Sequence, residues 1–169
     1  MNKIIIDSRE TSDLSEFIIS EASKLNLPTE KKWLEIGDYV YQDVCFEAKS
    51  SIDFLQSVLN GRLWNQVDNM DRHYEYSIVI IHGSLHQVMA YPKYVNLDIN
   101  PKLLTHKFYG AIGRLTLDTD CKVFWVESAQ KAAKIVTTIC KMRPVKRSVI
   151  QPTLLKRITT DDLRLDMLC

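Results

Sequence analysis

The decisive stretch of this sequence reads Gly37-Asp38 and then, after a short interval, Phe46-Glu47-Ala48-Lys49-Ser50-Ser51-Ile52-Asp53. The residues that lead into Glu47 and Lys49 are apolar or aromatic and favour a β-strand. Because side chains at positions i and i+2 of a strand point to the same face, Glu47 and Lys49 should project side by side. The serines that follow predict a helix over Ser51–Leu59, with Asn60-Gly61 at its end. We therefore predict a strand-to-helix unit that carries a carboxylate and an ammonium on one face.

Further strands and helices alternate along the rest of the chain. Strands are predicted at Ile4–Ile6, Ser77–Ile81 and Lys122–Val126. Helices are predicted over residues 12–25, 62–74, 102–118 and 129–142, and the stretch 86–101 reads as irregular. Because several strands are apolar throughout, helices should cover both faces of the sheet. We therefore predict an α/β fold with a central sheet between two layers of helices.

A hairpin is predicted around the Gly37-Asp38 pair. Trp33–Ile36 and Val40–Tyr41 favour strands, and the glycine interrupts them. Gln42-Asp43 is typical of a turn, and Val44–Lys49 returns as the next strand. The hairpin should bring the aspartate close to the carboxylate and the ammonium of the second strand.

The composition is that of one folded domain followed by a basic tail. The chain has 169 residues, of which 46% are apolar, and Pro144 ends the regular pattern. We predict a folded domain over residues 1–143 and a basic tail over residues 144–169 that contacts DNA or a partner. Six basic residues and no acidic one lie between Lys141 and Arg157, which suits either phosphate contact or a solvated linker.

Several classes of protein are not favoured. No apolar run reaches the roughly 18 residues of a membrane-spanning helix, and the N-terminus lacks the features of a signal peptide. We expect an intracellular protein without a membrane segment, in the cytoplasm of a prokaryote or a virus-infected cell, or in a nucleus. The four cysteines form no CxxC pair, so neither a zinc site nor a disulfide framework is expected.

Asp38, Glu47 and Lys49 supply the groups that metal-dependent hydrolysis of a phosphodiester requires. A Mg²⁺ or Mn²⁺ ion held by carboxylates polarises the phosphate and lowers the pKa of its bound water. Asp38 and Glu47 are the natural ligands, and Asp7 is a third candidate because it ends the first apolar strand. Lys49 would orient the water or stabilise charge on the phosphate. The same residues also suit a surface ion pair in an α/β interaction module that binds no metal.

Four spaced motifs follow one another along the chain: Asp7-Ser8-Arg9-Glu10, Gly37-Asp38-Tyr39, Phe46-Glu47-Ala48-Lys49-Ser50-Ser51-Ile52-Asp53-Phe54 and Asn60-Gly61-Arg62-Leu63-Trp64-Asn65-Gln66. In this order they resemble motifs of the XPF/Mus81 (ERCC4-type) structure-specific endonuclease family, and the resemblance extends from about Lys3 to Lys141. It implies a restriction-endonuclease-like fold with Mg²⁺ or Mn²⁺ at the site. It also implies cleavage of branched DNA, such as flaps, forks and nicked junctions, by paired nuclease domains, and we expect a homodimer.

The resemblance also implies roles for individual residues. Carried over by position, Asp7, Asp38 and Glu47 form the acidic metal site, and Lys49 is the catalytic lysine. Other matching positions are four candidate DNA contacts and two supporting residues, namely Arg9, Arg62, Gln66 and Arg72, with Glu10 and Asp53 in support. Asp53 is explained equally well as a favourable carboxylate at a helix start, and Arg9 and Glu10 as partners of each other or of their neighbours.

The chain departs from the family pattern at two places. Ala48 replaces the arginine of the usual Glu-Arg-Lys, but a side chain at this position faces away from Glu47 and Lys49. No pair of helix-hairpin-helix motifs follows Pro144, so either a helicase or DNA-binding protein is a partner or the nuclease domain acts alone. The acidic residues are kept, which favours an active endonuclease over the alternative, a non-catalytic DNA-binding or scaffolding subunit of the same fold.

Two surfaces are candidates for contact between subunits. One is the predicted helix that carries Phe108, Tyr109, Ile112 and Leu115, and the other is the apolar face of residues 132–140. Core packing within one subunit explains both sets of residues equally well.

Overall fold

A mixed six-stranded β-sheet forms the centre of the structure, a computed structural model that describes residues 2–90 and 100–142. Its strands are β1 (Ile4–Asp7), β2 (Thr29–Lys32), β3 (Tyr39–Tyr41), β4 (Val44–Ser50), β5 (Tyr76–His82) and β6 (Lys122–Val126). In space they follow the order β2-β1-β3-β4-β5-β6. Strand β3 is antiparallel to both of its neighbours, whereas every other neighbouring pair in this sheet is parallel.

Helices cover both faces of the sheet, as the apolar strands predict. They are α1 (Asp13–Lys24), α2 (Ser51–Leu59), α3 (Arg62–His73), α4 (Leu85–Met89), α5 (Pro101–Asp118) and α6 (Ala129–Met142). Helices α1 and α6 pack on one face, and α2, α3, α4 and α5 contribute to the core on the other.

Strand β5 shows how each face obtains its own core. Ile78 and Ile80 belong to the cluster beneath α1 and α6, whereas Val79 and Ile81 belong to the cluster on the opposite face. Because successive side chains of a strand point to opposite faces, a strand buried on both sides must be apolar throughout. The predicted α/β fold, with a central sheet between helices, is therefore confirmed.

The strand predicted at Trp33–Ile36 is wrong. The strand in this region is β2, which ends at Lys32, and residues 33–38 form a loop. Strand β2 lies at an edge of the sheet and is largely exposed, so its sequence Thr-Glu-Lys-Lys shows no apolar alternation. Its strand conformation depends on parallel pairing with β1, which local sequence does not reveal.

The predicted hairpin is confirmed, since β3 and β4 pair antiparallel around a turn in which Gln42 has a φ of 55°. The region predicted as irregular contains α4, a short helix that begins with a capping box formed by Ser84 and Gln87. The rest of that region, residues 91–99, and the predicted tail at 144–169 lie outside the described residues. None of the described helices combines the length and apolar character needed to cross a membrane.

The two candidate subunit contacts differ in exposure. The apolar face of residues 132–140 is buried inside this chain, where Ala132, Ala133, Val136 and Cys140 join the core beneath α1. Those side chains are therefore core residues and cannot form a subunit contact in this fold. On α5, Phe108 and Leu115 are likewise buried, but Tyr109 is 52% exposed.

Candidate active site

Glu47 and Lys49 lie side by side on β4, as their spacing predicts. The Nζ of Lys49 is 2.8 Å from Oε1 of Glu47, and both side chains are almost completely buried. Ala48, between them, is half-buried and packs against the core on the opposite face. The predicted orientation of Ala48, away from the two charged groups, is therefore confirmed.

Gly37 makes the turn that brings Asp38 next to β4. Its φ of +81° is a left-handed conformation that glycine tolerates best, and a Cβ there would collide with the Sγ of Cys45. Beyond the turn, the N–H of Asp38 donates to the carbonyl of Phe46 at 2.9 Å. The Oδ2 of Asp38 accepts from the N–H of Ala48, also at 2.9 Å. The carboxylate is thus fixed against the strand that carries Glu47.

The environment of Asp38 opposes its ionisation. Burial is the largest influence and the negative charge of Glu47 is the next, and together they raise the pKa of Asp38 to about 8. The hydrogen bond from Ala48 and the positive charge of Lys49 act in the opposite direction but are weaker. A cation next to Asp38 would reverse this balance by stabilising the ionised carboxylate.

Asp7 reaches the same region from the end of β1. Its N–H donates to the carbonyl of Asp38 at 2.8 Å, which joins the two backbones. Its carboxylate is held by Arg9, whose Nε and Nη2 donate to Oδ2 at 2.9 and 2.6 Å. Burial raises the pKa of Asp7, but hydrogen bonds from the side chain and backbone of Arg9 and from the backbone of Leu34 outweigh it, so the pKa lies below its usual value.

The three carboxylates line one pocket of about 220 Å³. Its lining consists of Asp7, Arg9, Glu35, Ile36, Gly37, Asp38, Glu47, Gln66 and Asn69. Sequence reasoning missed Glu35 and Asn69. Asn69 follows Gln66 by three positions on α3, so helical periodicity alone would have placed it on the same face.

Gln66 contacts Glu47. Its Nε2 donates to Oε1 of Glu47 at 2.6 Å, so this oxygen accepts from both Gln66 and Lys49. Within the described part of the chain, Oε1 of Gln66 is buried and has no hydrogen-bond partner. Gln66 was predicted as a DNA contact, and that stays a prediction; the structure places its amide nitrogen against the carboxylate of Glu47.

The other predicted DNA contacts are arranged around the rim or away from the pocket. Arg9 lines the pocket, but its guanidinium is engaged by Asp7 and by the carbonyl of Leu34. Arg62 is exposed at the start of α3, four positions before Gln66 and therefore on the same helix face. Arg72 is exposed near the end of α3 and pairs with Asp68 at 3.0 Å. Neither Arg62 nor Arg72 lines the pocket.

The two predicted supporting residues stabilise helix starts. The Oε1 of Glu10 accepts from the N–H of Ser12, directly before α1. Asp53 lies in the first turn of α2, where Ser50 donates to its Oδ2 at 2.8 Å and accepts from its N–H at 3.1 Å. Asp53 does not line the pocket, which agrees with the alternative explanation as a helix-start carboxylate.

The donor set of the pocket suits a hard divalent cation. Asp38 and Glu47 offer carboxylate oxygens, the ligands that Mg²⁺ prefers, and burial followed by the charge of Glu47 raises the pKa of Asp38. Over residues 2–90 and 100–142, no group of three His, Cys, Asp or Glu side chains is gathered as a ready metal site. Asp7 points its carboxylate to Arg9, so it would join a metal site only by exchanging this ion pair.

The match to a protein family covers most of the sequence. A model of the ERCC4 domain matches residues 6–139. This chain belongs to the ERCC4 domain family. The resemblance identified from the four motifs is therefore confirmed.

Named relatives of this ERCC4 domain are longer proteins. It is 27% identical over 139 residues to DNA repair endonuclease UVH1 of Arabidopsis thaliana, a match that covers 81% of this chain and 14% of that protein. It is 24% identical over 143 residues to the 3'-flap repair endonuclease Xpf of Saccharolobus solfataricus, which covers 82% of this chain and 54% of that protein. The chain therefore spans about a seventh of the plant relative and about half of the archaeal one.

Solved structures share the fold of this ERCC4 domain. XPF from Aeropyrum pernix superposes with a TM-score of 0.67 at 22% identity, covering 89% of this chain and 69% of that one. A structure of XPF from Aeropyrum pernix in complex with DNA gives a TM-score of 0.67 at 23% identity, with 85% and 66% covered. At 22% and 23% sequence identity, these similarities show that the fold is shared.

Proposed function

We propose that this chain is a DNA endonuclease that hydrolyses phosphodiester bonds in branched DNA, such as flaps, forks and junctions, with Mg²⁺ or Mn²⁺ as cofactor. The observation that carries the proposal is that Asp7, Asp38 and Glu47 line one pocket of an ERCC4 domain, with Lys49 paired to Glu47 at 2.8 Å. Two ERCC4-domain relatives carry the name of DNA repair endonuclease or flap repair endonuclease, which supports DNA repair or recombination as its setting.

In this proposal, Asp38 and Glu47 would hold the metal ion, and Asp7 would join them if its ion pair with Arg9 were exchanged. A bound divalent ion supplies charge neutralisation at the phosphate and a more acidic water. Lys49 and Gln66 hold Oε1 of Glu47 at 2.8 and 2.6 Å, which fixes the direction of its carboxylate. Lys49 also places a positive charge 2.8 Å from Glu47, which would favour negative charge growing on a phosphate bound beside that residue.

DNA would approach over the rim that α3 provides. Arg62 shares a helix face with Gln66 and Asn69, and its exposed guanidinium is suited to a phosphate contact. Arg72 lies ten positions further on, about 15 Å along the helix axis, and would contact a more distant phosphate. The basic residues after Lys141 would add sequence-independent attraction.

A homodimer is proposed through α5 and the adjoining edge strand β6. Tyr109 is 52% exposed on α5, and Phe124 and Trp125 on β6 are 38% and 39% exposed. Sedimentation of the wild-type chain and of Tyr109→Arg would test the proposal, since a charge in an apolar interface should yield monomers. A helicase or DNA-binding protein remains the proposed additional partner.

The decisive experiment is cleavage of labelled flap, fork, four-way-junction and linear duplexes with Mg²⁺, Mn²⁺ or EDTA. We expect metal-dependent cutting of the branched substrates, abolished by Asp38→Asn and by Glu47→Gln. Asp118→Asn, an exposed carboxylate on α5 outside the pocket, is the matched control and should cut as the wild type does. Calorimetric titration with Mn²⁺ gives a second readout, in which the two pocket variants should lose binding.

Two outcomes would redirect the proposal. Binding to forks without metal-dependent cutting would identify a non-catalytic DNA-binding or scaffolding subunit of the same fold. No metal binding and no DNA binding would identify an interaction module in which Glu47 and Lys49 form only a structural pair.

A further inference from the structure

Trp33 is an exposed indole beside the pocket. It is 59% exposed and lies at the start of the loop that follows β2. The same loop then supplies Glu35, Ile36 and Gly37 to the pocket lining. The other large exposed apolar residues of the described ranges lie on other elements, namely Leu59, Leu103, Tyr109, Leu117, Phe124, Trp125 and Met142. Trp33 is thus an exposed aromatic side chain on a loop that lines the candidate active site, in contact with Arg9 of the pocket.

The backbone that carries Trp33 is held in place despite the exposure of its ring. The N–H of Ser8 donates to the carbonyl of Lys32 at 3.0 Å, and Nη2 of Arg9 donates to the carbonyl of Leu34 at 2.6 Å. Both bonds tie the loop to the segment that follows Asp7. The backbone around Trp33 is therefore anchored to the segment that carries Asp7.

Cationic side chains lie near the indole, and two of them are paired, Arg9 with Asp7 and Lys31 with Glu16. The guanidinium carbon of Arg9 lies over the ring of Trp33, 5.6 Å from its centroid, which is within the range of a cation–π contact. Lys31 and Lys32 are exposed on the strand that leads into Trp33. An aromatic face next to cations suits a nucleic acid strand, because bases stack on the ring while phosphates meet the charges. A contact with another protein would more often use a contiguous apolar patch.

We propose that Trp33 stacks on an unpaired nucleobase of the DNA at the mouth of the pocket. The proposal rests on the proposed function, which it deepens by naming the single-stranded arm as the part of a branched substrate that this loop recognises. In a fully paired duplex every base is already stacked on its neighbours, so Trp33 would favour substrates with a single-stranded arm. Trp33 acts here as a binding residue, and the hydrolytic groups remain those of the pocket.

The test compares bases and abasic sites in the same arm. Equilibrium binding is measured in EDTA, which prevents metal-dependent cleavage, with a duplex that carries a thymidine flap and with the same duplex whose flap is abasic. The two ligands have the same number of phosphates and differ only in the bases. They are titrated with wild type, Trp33→Ala, Trp33→Phe and Trp33→Lys, and Leu117→Ala serves as the control at an exposed apolar site on α5.

We expect wild type to bind the thymidine flap about tenfold more tightly than the abasic flap. Trp33→Ala should bind both ligands with the affinity that wild type has for the abasic flap, and Trp33→Lys should not restore the preference. Trp33→Phe should keep most of the preference for the thymidine flap, and Leu117→Ala should keep all of that preference.

Equal binding of both flaps by wild type would overturn the stacking proposal, while metal-dependent cleavage of the same substrates would still support the proposed function. An unchanged preference in Trp33→Ala would also overturn it and would leave Trp33 as a candidate contact for a protein. Loss of binding to every DNA in the wild type would overturn the stacking proposal and the proposed function together.

Discussion

The ammonium of Lys49 lies 2.8 Å from Oε1 of Glu47, and 6% or less of either side chain is exposed. A buried charge whose partner is removed is left uncompensated, which commonly costs several kcal/mol. Replacement of both partners by neutral residues of similar size costs much less. Substitutions at the two residues should therefore have non-additive effects on the free energy of unfolding.

The first prediction concerns this ion pair. Lys49→Met should lower the free energy of unfolding by about 3 kcal/mol, because Glu47 then stays buried without its cation. Glu47→Gln with Lys49→Met should recover most of this loss, since neither member of the pair is then charged. Urea unfolding in EDTA measures the free energy of unfolding of the single and the double variant. Equal losses in the single and double variants would show that the pair is not coupled.

The second prediction concerns the pH dependence of stability through Asp38. Its pKa is raised by burial and by Glu47, from an ordinary 3.8 to about 8, so the folded state binds this proton more tightly than the unfolded state. Wild type should therefore lose stability relative to Asp38→Asn as pH rises from about 4 to about 8. The limiting slope is about 1.4 kcal/mol per pH unit.

Thermal unfolding in EDTA across this pH range measures the difference between wild type and Asp38→Asn. Asparagine keeps an acceptor for the N–H of Ala48 and removes only the titrating group. A difference in stability that stayed constant from pH 4 to pH 8 would contradict the raised pKa.

The third prediction separates positioning from DNA contact at Gln66. Because its Nε2 donates to Glu47, Gln66→Ala should slow single-turnover cleavage by roughly 10- to 100-fold and change the affinity for DNA little. Asn65→Ala, an exposed neighbour on α3, should leave both quantities unchanged. The original expectation of a DNA contact would be supported instead if affinity fell and the rate at saturating DNA did not.

The fourth prediction concerns two glycines with nearly the same backbone conformation. Gly37 has a φ of +81° and Gly61 a φ of +77°, but a Cβ meets Cys45 at the first position and nothing within 4 Å at the second. Gly61→Ala should cost about 1 kcal/mol from backbone strain alone. Gly37→Ala should cost about 2 to 4 kcal/mol because overpacking adds to the same strain.

Removal of the Cys45 sulfur in the Gly37→Ala background provides the control. Cys45→Ala should relieve the collision and return part of the lost free energy of unfolding, which denaturant titration of the single and double variants measures. If Gly37→Ala and Gly61→Ala cost the same, the contact with Cys45 has no energetic weight.

Local sequence patterns were sufficient to predict structure where the interacting residues are close in sequence. The spacing of Glu47 and Lys49 predicted their common face, and Gln42-Asp43 predicted the turn of the hairpin. Strand β2 was not predicted because its sequence is polar, as suits an exposed edge of the sheet. It becomes a strand only through its pairing with β1. The partnership of Gln66 with Glu47 joins residues 19 positions apart on different elements, so spacing along one element could not reveal it.

The hairpin of β3 and β4 sets an order of assembly for the pocket. Asp38 and Glu47 belong to one local segment, so little chain entropy opposes their approach, whereas Asp7 must be brought from the distant strand β1. Pulsed hydrogen exchange during refolding should protect the amide of Asp38, which bonds Phe46, before the amide of Asp7, which bonds Asp38. Asp38 and Glu47 would thus come together early in folding, and Asp7 would join them only when β1 pairs with β3.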